Sequence, residues 1–165
     1  LVRRYEILFQ EVGMSCDAKK ISEKYEDFLG EGHYFIPGAK ELLEDLSKKY
    51  HLYLASNGAV KVQMSRIQSA GIEKYLEKIF LSEQIGYEKP SPQFFEKCFA
   101  QIPDFKKEEA LILGDSLTSD IRGGKNAGIL TVWFHPSGKK VEEEIVPDYE
   151  IGKLEELKTI LSFYS

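Results

Sequence analysis

Cysteine is scarce in this 165-residue chain, with Cys16 and Cys98 standing alone. They lie too far apart for a Cys-x-x-Cys site and are too few for a disulfide framework. Both are expected to be buried or idle thiols in a reducing cytosol, which gives a cytoplasmic expectation. Basic residues are outnumbered, 22 Lys and Arg against 27 Asp and Glu, for a formal net charge of −5. No basic run that could track a phosphate backbone is present, so nucleic acid is excluded as the default partner. Long apolar runs are missing as well, which excludes a spanning helix and a membrane partner, and no signal-peptide pattern opens the chain. Internal repeats and low-complexity segments are absent. The sequence also lacks an initiator methionine. It begins Leu1-Val2-Arg3-Arg4-Tyr5-Glu6, which reads at once as the inside of a helix. It is expected to be the later part of a longer polypeptide.

What is present is one domain's worth of length, enough for a sizeable core. Hydrophobic residues make up 42% and charged residues 30%, the balance of a soluble globular chain. Up to about Phe35 the pattern is helical: Ile7, Leu8 and Phe9 run towards Gly13, and Ile21, Tyr25, Phe28 and Leu29 follow Asp17 as a possible cap. No strand candidate lies in that part. From Pro37-Gly38 onward strands alternate with helices. Strands are expected at His51–Ser56, Ile79–Ser82, Ala110–Leu113 and Leu130–Phe134, with Tyr149–Ile151 as a last edge strand. Helices are expected at Ala39–Lys49, Val60–Ala70, around Phe94–Phe99, at Ile121–Ala127, and on Leu154, Leu157, Ile160 and Leu161. Such alternation predicts right-handed βαβ units and a three-layer α/β fold with a mostly parallel sheet. Ligands gather beyond the carboxyl ends of strands in such sheets.

Three strand ends carry polar residues suited to one task. Asp115 and Asp120 follow Ala110-Leu111-Ile112-Leu113-Gly114, and two carboxylates on one such loop suit a hard divalent cation. Equally, Asp115 can end the strand while Ser119 or Asp120 caps the next helix. Ser56-Asn57-Gly58 offers a hydroxyl, an amide and an approachable backbone to a phosphoryl oxygen, or is a plain Asn-Gly turn. Lys89 precedes Pro90 in a Gly/Pro-punctuated loop and can neutralise a phosphate, or is a solvated lysine.

Together Ser56-Asn57, Lys89-Pro90 and Gly114-Asp115-Ser116…Asp120 resemble the second, third and fourth motifs of the haloacid dehalogenase superfamily. The resemblance runs from about Tyr34 to Ser165. It is most similar to the pyrimidine 5′-nucleotidase-like subfamily, on Glu31-Gly32-His33, Leu54 to Gly58, Gly86 to Pro90 and Leu111 to Gly124. It implies a Rossmann-like core over 36–165 and part of a helical cap over 1–35. It also implies a Mg²⁺-dependent phosphatase acting on small phosphate monoesters, nucleoside 5′-monophosphates above all, through an aspartyl-phosphate intermediate. By that match Ser56 and Asn57 hold the phosphoryl group, and Lys89 offsets the charge of nucleophile and phosphate as a catalytic residue. Asp115 binds Mg²⁺, and Asp120 supports the ion, its water or Lys89. The family's first motif, Asp-x-Asp-x-Thr after an apolar strand, occurs nowhere in this sequence. No residue here inherits its roles, and Asp17 and Asp45 sit in helical contexts without a preceding strand. The nucleophile and the central strand are therefore expected in an N-terminal segment of the same protein, and these 165 residues alone are expected to be inactive.

Rival readings are a 2-haloacid dehalogenase, a phosphomutase of the same superfamily, and a non-catalytic domain that binds a partner. The paired Asp115 and Asp120 favour the metal-dependent phosphatase over the dehalogenase, which needs no metal. His33 and His51 are expected in surface or capping roles, and Trp133 and Phe134 in the core.

Overall fold

A computed structural model describes residues 2–138 and 144–164; Leu1, where the helical reading begins, lies outside them. The chain opens with helix α1 (Val2–Glu11) and helix α2 (Ala18–Gly30). Asp17 caps α2, its carboxylate accepting from the Lys20 amide at 3.0 Å. The two helices meet through Tyr5 and Tyr25, with the Arg4 guanidinium lying over both rings. α1 buries none of its residues, and Ile7, Leu8, Val12, Phe28 and Leu29 stay exposed across the pair.

Strands and helices then alternate as the hydrophobic pattern predicts. α3 (Ala39–Leu46) leads to β1 (Tyr53–Ser56), α4 (Val60–Ala70) and β2 (Lys78–Leu81). A one-turn helix α5 (Ser82–Ile85), then α6 (Pro92–Phe99), β3 (Leu111–Gly114), α7 (Arg122–Ala127) and β4 (Leu130–Phe134) follow. β5 (Tyr149–Ile151) and α8 (Leu157–Ser162) complete the described chain. Ser82, expected to end a strand, instead starts α5. A π-helical turn at Leu117–Ile121 brings helical structure forward of the expected start at Ile121.

Every strand pair is parallel, which fixes the α/β class. Alternation along β3 and β4 sends neighbours to opposite faces. Val132 and Phe134 pack with Leu42, Ile151, Leu154, Leu157 and Ile160, against α3 and α8. Ile112 joins Phe80, Phe94, Phe95, Cys98, Ala127 and Ile129, under α6 and α7. The molecule is thus layered helix, sheet, helix. Gly124 lets α7 lie close on the sheet, because a Cβ there would stand 2.5 Å from Ile112 and 2.7 Å from Thr131. Cys98 is buried in the phenylalanine cluster, and burial pushes its thiol up to about 12, so it is inert at neutral pH; Cys16 is exposed.

The sheet is divided. β1 pairs with β2, and β3, β4 and β5 form a second ladder; among the described residues β1 and β3 share no pairing. Residues of both strands are only half-buried, whereas most of β4 is buried. The phenylalanine cluster nevertheless takes side chains from both ladders, Tyr53 and Ala55 from one and Ile112 from the other. Within each ladder the strands run parallel, and the contacts of Asn57 with Ser119 and of Lys89 with Ala55 and Asp120 bring the carboxyl ends of β1 and β3 to one edge.

Candidate active site

Three chain segments converge at that edge, joined by polar contacts across the break between ladders. The Lys89 ammonium donates to the Ala55 carbonyl at 2.6 Å and to Asp120 Oδ1 at 2.6 Å. Both charged side chains are nearly withdrawn from water, with 8% of Lys89 and 10% of Asp120 exposed. A buried pair of this kind holds only when further hydrogen bonds complete it. The Ser116 amide supplies one, donating to Asp120 Oδ2 at 3.1 Å. Both Asp120 oxygens are therefore engaged by protein donors.

The local sequence explains how Asp120 reaches this position. Ser116, extended before the π-helical turn, caps it by accepting from the Ser119 amide at 3.2 Å. That turn lays the Asp120 side chain back over the end of β3. Gly114 makes room: a Cβ on it would stand 2.3 Å from Asp120 Cβ and 2.4 Å from Oδ2. The Gly-Asp-Ser sequence is thus a close backbone approach followed by a cap.

Asn57 and Lys89 lock together. The Asn57 amide donates to the Lys89 carbonyl and accepts from the Lys89 N–H, both at 2.9 Å. The same Asn57 nitrogen reaches Ser119 Oγ at 3.4 Å. The Lys89–Pro90 peptide bond is cis. Gly58 N donates to the buried Ser82 hydroxyl at 3.1 Å, and Glu83 accepts from the Val60 amide at 2.6 Å, satisfying the start of α4 from a neighbouring element. Ser82 and Glu83 carry no sequence signal for this role beyond their place after a strand, whereas Ser116 lies in the fourth-motif stretch and Ser119, a candidate cap, is instead the donor to Ser116.

Two predicted residues remain uncommitted. Among the described residues, neither the Ser56 hydroxyl nor the Asp115 carboxylate has a side-chain hydrogen bond or ion pair, and Asp115 is exposed. Asp115 is held through its main chain, its carbonyl accepting from the Trp133 indole N–H at 2.9 Å. Trp133 is buried with Leu117 and Ile121 and stacks on His135 at 3.9 Å. No group of three or more His, Cys, Asp or Glu able to cage a metal occurs among the described residues. One free carboxylate beside a hydroxyl and a buried cation instead fits a hard ion that keeps waters and takes substrate oxygens. His33 and His51 lie elsewhere on the surface, bonded to Ser69 and Glu77. No helix among the described residues is long and apolar enough to cross a membrane.

Residues 3–134 match the haloacid dehalogenase-like hydrolases. The HAD-hydrolase YfnB of Bacillus subtilis is 42% identical over 96% of this chain and 68% of its own length. Pyrimidine 5′-nucleotidase PynA of Streptococcus pneumoniae is 37% identical over 93% of this chain and 65% of its length. The chain thus spans about two thirds of the curated relatives it matches. The solved structure of YfnB bound to magnesium superposes with a TM-score of 0.89, covering 96% of this chain and 69% of that one. A 2-haloacid dehalogenase from Pseudomonas syringae, 26% identical, gives 0.76 over 99% of this chain and 70% of its own. With its parallel ladders, its strand-end residues and a match over most of its length, the chain belongs to the haloacid dehalogenase-like hydrolase family.

Proposed function

We propose that this chain is the larger part of a Mg²⁺-dependent phosphatase of small phosphate monoesters, with nucleoside 5′-monophosphates the favoured class. The observation that carries the reading is the division of labour at the strand ends: a buried Lys89–Asp120 pair, beside an unengaged hydroxyl on Ser56 and an unengaged carboxylate on Asp115. Phosphoryl transfer asks a protein for positioning and charge compensation more than for covalent chemistry. Ser56 receives phosphoryl oxygens, Lys89 offsets their charge, and Asp120 keeps Lys89 in place. Asp115 binds Mg²⁺, which supplies Lewis-acid polarisation of the phosphate when bound. The nucleotidase assignment draws on PynA and the metal on YfnB. The need for a metal carboxylate sets this reading ahead of a dehalogenase.

The break between β1 and β3 is the place for one further parallel strand, which brings the attacking aspartate to the same edge. The helices over 1–35 form part of a cap above that edge, and the enzyme works in the cytoplasm. None of Ser56, Asn57, Lys89 and Asp115 replaces the missing nucleophile. The 165 residues alone are therefore expected to leave p-nitrophenyl phosphate and nucleoside monophosphates intact in excess Mg²⁺. The full-length protein is expected to hydrolyse them in proportion to Mg²⁺ occupancy. Robust turnover by the 165 residues refutes the role given to the missing strand. Metal-independent turnover, or none, by the full-length protein refutes the phosphatase reading.

A further inference from the structure

Asn57 stands where a phosphoryl ligand is expected, directly after Ser56, yet its side chain is spent elsewhere. A primary amide has two N–H donors and one carbonyl oxygen. Here Nδ2 donates to the Lys89 carbonyl at 2.9 Å and reaches Ser119 Oγ at 3.4 Å, while Oδ1 accepts the Lys89 N–H at 2.9 Å. Both donor directions are occupied by protein. A phosphoryl oxygen accepts hydrogen bonds only, so Asn57 offers it nothing without first releasing Lys89.

The arrangement has a clear mechanical content. Lys89 sits 32 residues beyond Asn57 in a turn of its own, not in a helix or strand. Its main chain is fixed by Asn57, and its ammonium by Ala55 and Asp120. Two of these anchors come from the end of β1 and its next turn. The third comes from the loop after β3. The peptide plane and the charged tip are thus referenced to both ladders, which share no pairing of their own.

We infer that Asn57 is a positioning residue: it clasps the Lys89 peptide and so aims the Lys89 ammonium, and it does not bind the phosphoryl group through its side chain. The kinetic consequence rests on the phosphatase reading above, whereas the clasp itself does not. Aspartate cannot substitute, because it lacks the donor for the Lys89 carbonyl, and serine is too short to meet both peptide atoms.

Two measurements test this separately. In the full-length protein, amide hydrogen exchange followed by NMR reads the clasp without any turnover. Asn57→Ala is expected to speed exchange at the Lys89 amide at least about tenfold, with Val132 in β4 unchanged. Unchanged exchange at Lys89 overturns the proposal. Should Asn57→Ala unfold the chain, seen as lost protection at Val132, Asn57→Ser is measured with the same expectation. In the full-length enzyme, a double-mutant cycle with Lys89→Arg reads the coupling. Asn57→Ala alone is expected to lower kcat about a hundredfold, the scale of a small misplacement of a catalytic group, with KM held within about threefold. In the Lys89→Arg background the same change is expected to cost no more than about threefold. Losses that multiply, or a raised KM at constant kcat, show a direct contact with substrate and overturn the assignment. A full-length protein without phosphatase activity overturns the functional reading instead, and the exchange result then decides the clasp.

Discussion

Replacing Gly114 with alanine probes the junction between β3 and the lysine. The added methyl would stand 2.3 Å from Asp120 Cβ and 2.4 Å from its Cγ and Oδ2, where ordinary contacts begin at 3.4 Å. Asp120 must therefore retreat by about 1 Å, since the strand backbone on the other side is fixed by its pairing with β4. A shift of that size takes the 2.6 Å Lys89–Asp120 contact to the limit of a hydrogen bond. Both partners are about nine-tenths buried, so separating them leaves charges poorly compensated, at a cost of about 3–5 kcal/mol. Lys89 keeps the Ala55 carbonyl, which places the expected loss at the lower end, about 3 kcal/mol. For a chain of this size that lowers Tm by about 6–12 °C, measurable by far-ultraviolet circular dichroism. Gly30→Ala is the control, because its nearest neighbour is Ser65 Cβ at 3.4 Å and its φ is not left-handed. It is expected to stay within about 1 kcal/mol of the parent. A Gly114→Ala chain melting within about 2 °C of the parent refutes the packing argument.

Three further outcomes are expected. Lys89→Met keeps most of the apolar stem but not the charge, and should fold while the full-length enzyme loses activity by about two orders of magnitude or more; near-normal rates return the lysine to a structural role. Asp115→Asn in the full-length enzyme should raise the Mg²⁺ requirement steeply or abolish turnover, and chelation should silence the parent reversibly; normal Mg²⁺ dependence in the variant removes the assignment. Asp148 accepts from Lys125 and from the Thr131 amide and hydroxyl, and although burial pushes its carboxyl up, these donors hold it below the usual carboxylate range. A lowered folded pKa gives stability that is present above the unfolded value of about 4 and lost as pH falls through the folded value. Asp148→Asn should therefore lose less stability than the parent between about pH 6 and pH 3 in urea unfolding, and parallel losses would falsify the linkage.

The order of strands and helices was legible because each apolar period is local: Val60–Ala70 ends at Gly71, and Leu130–Phe134 is a buried strand, as their patterns require. Ser56, Lys89 and Asp115 stood out as candidates because Ser56 ends a strand, Lys89 sits beside a proline in a loop and Asp115 directly follows a strand; the roles given to them are proposals. What escaped depends on partners remote in sequence. Nothing near Val60 announces its acceptor, since the residue before it is Ala59 and the carboxylate comes from Glu83. Ser82 reads as strand by its apolar neighbours, yet its hydroxyl is needed by Gly58 and it begins a helix. The cap at the fourth motif is Ser116, where Ser119 or Asp120 were the local candidates. The Asn57 clasp joins residues 32 apart, which no local rule relates.

Trp133 is the only tryptophan in the 165 residues, and its indole N–H is tied to the main chain of Asp115. The molecule therefore carries an intrinsic optical reporter at the loop proposed to hold the metal. Selective excitation near the red edge of protein absorption singles out one fluorophore against nine tyrosines, with no label introduced. Because that indole also stacks on His135, which Glu150 and Ser137 hold on either side, its emission reads the loop after β3 and the end of β5 as one unit. Disturbance of either element should register in a single spectrum.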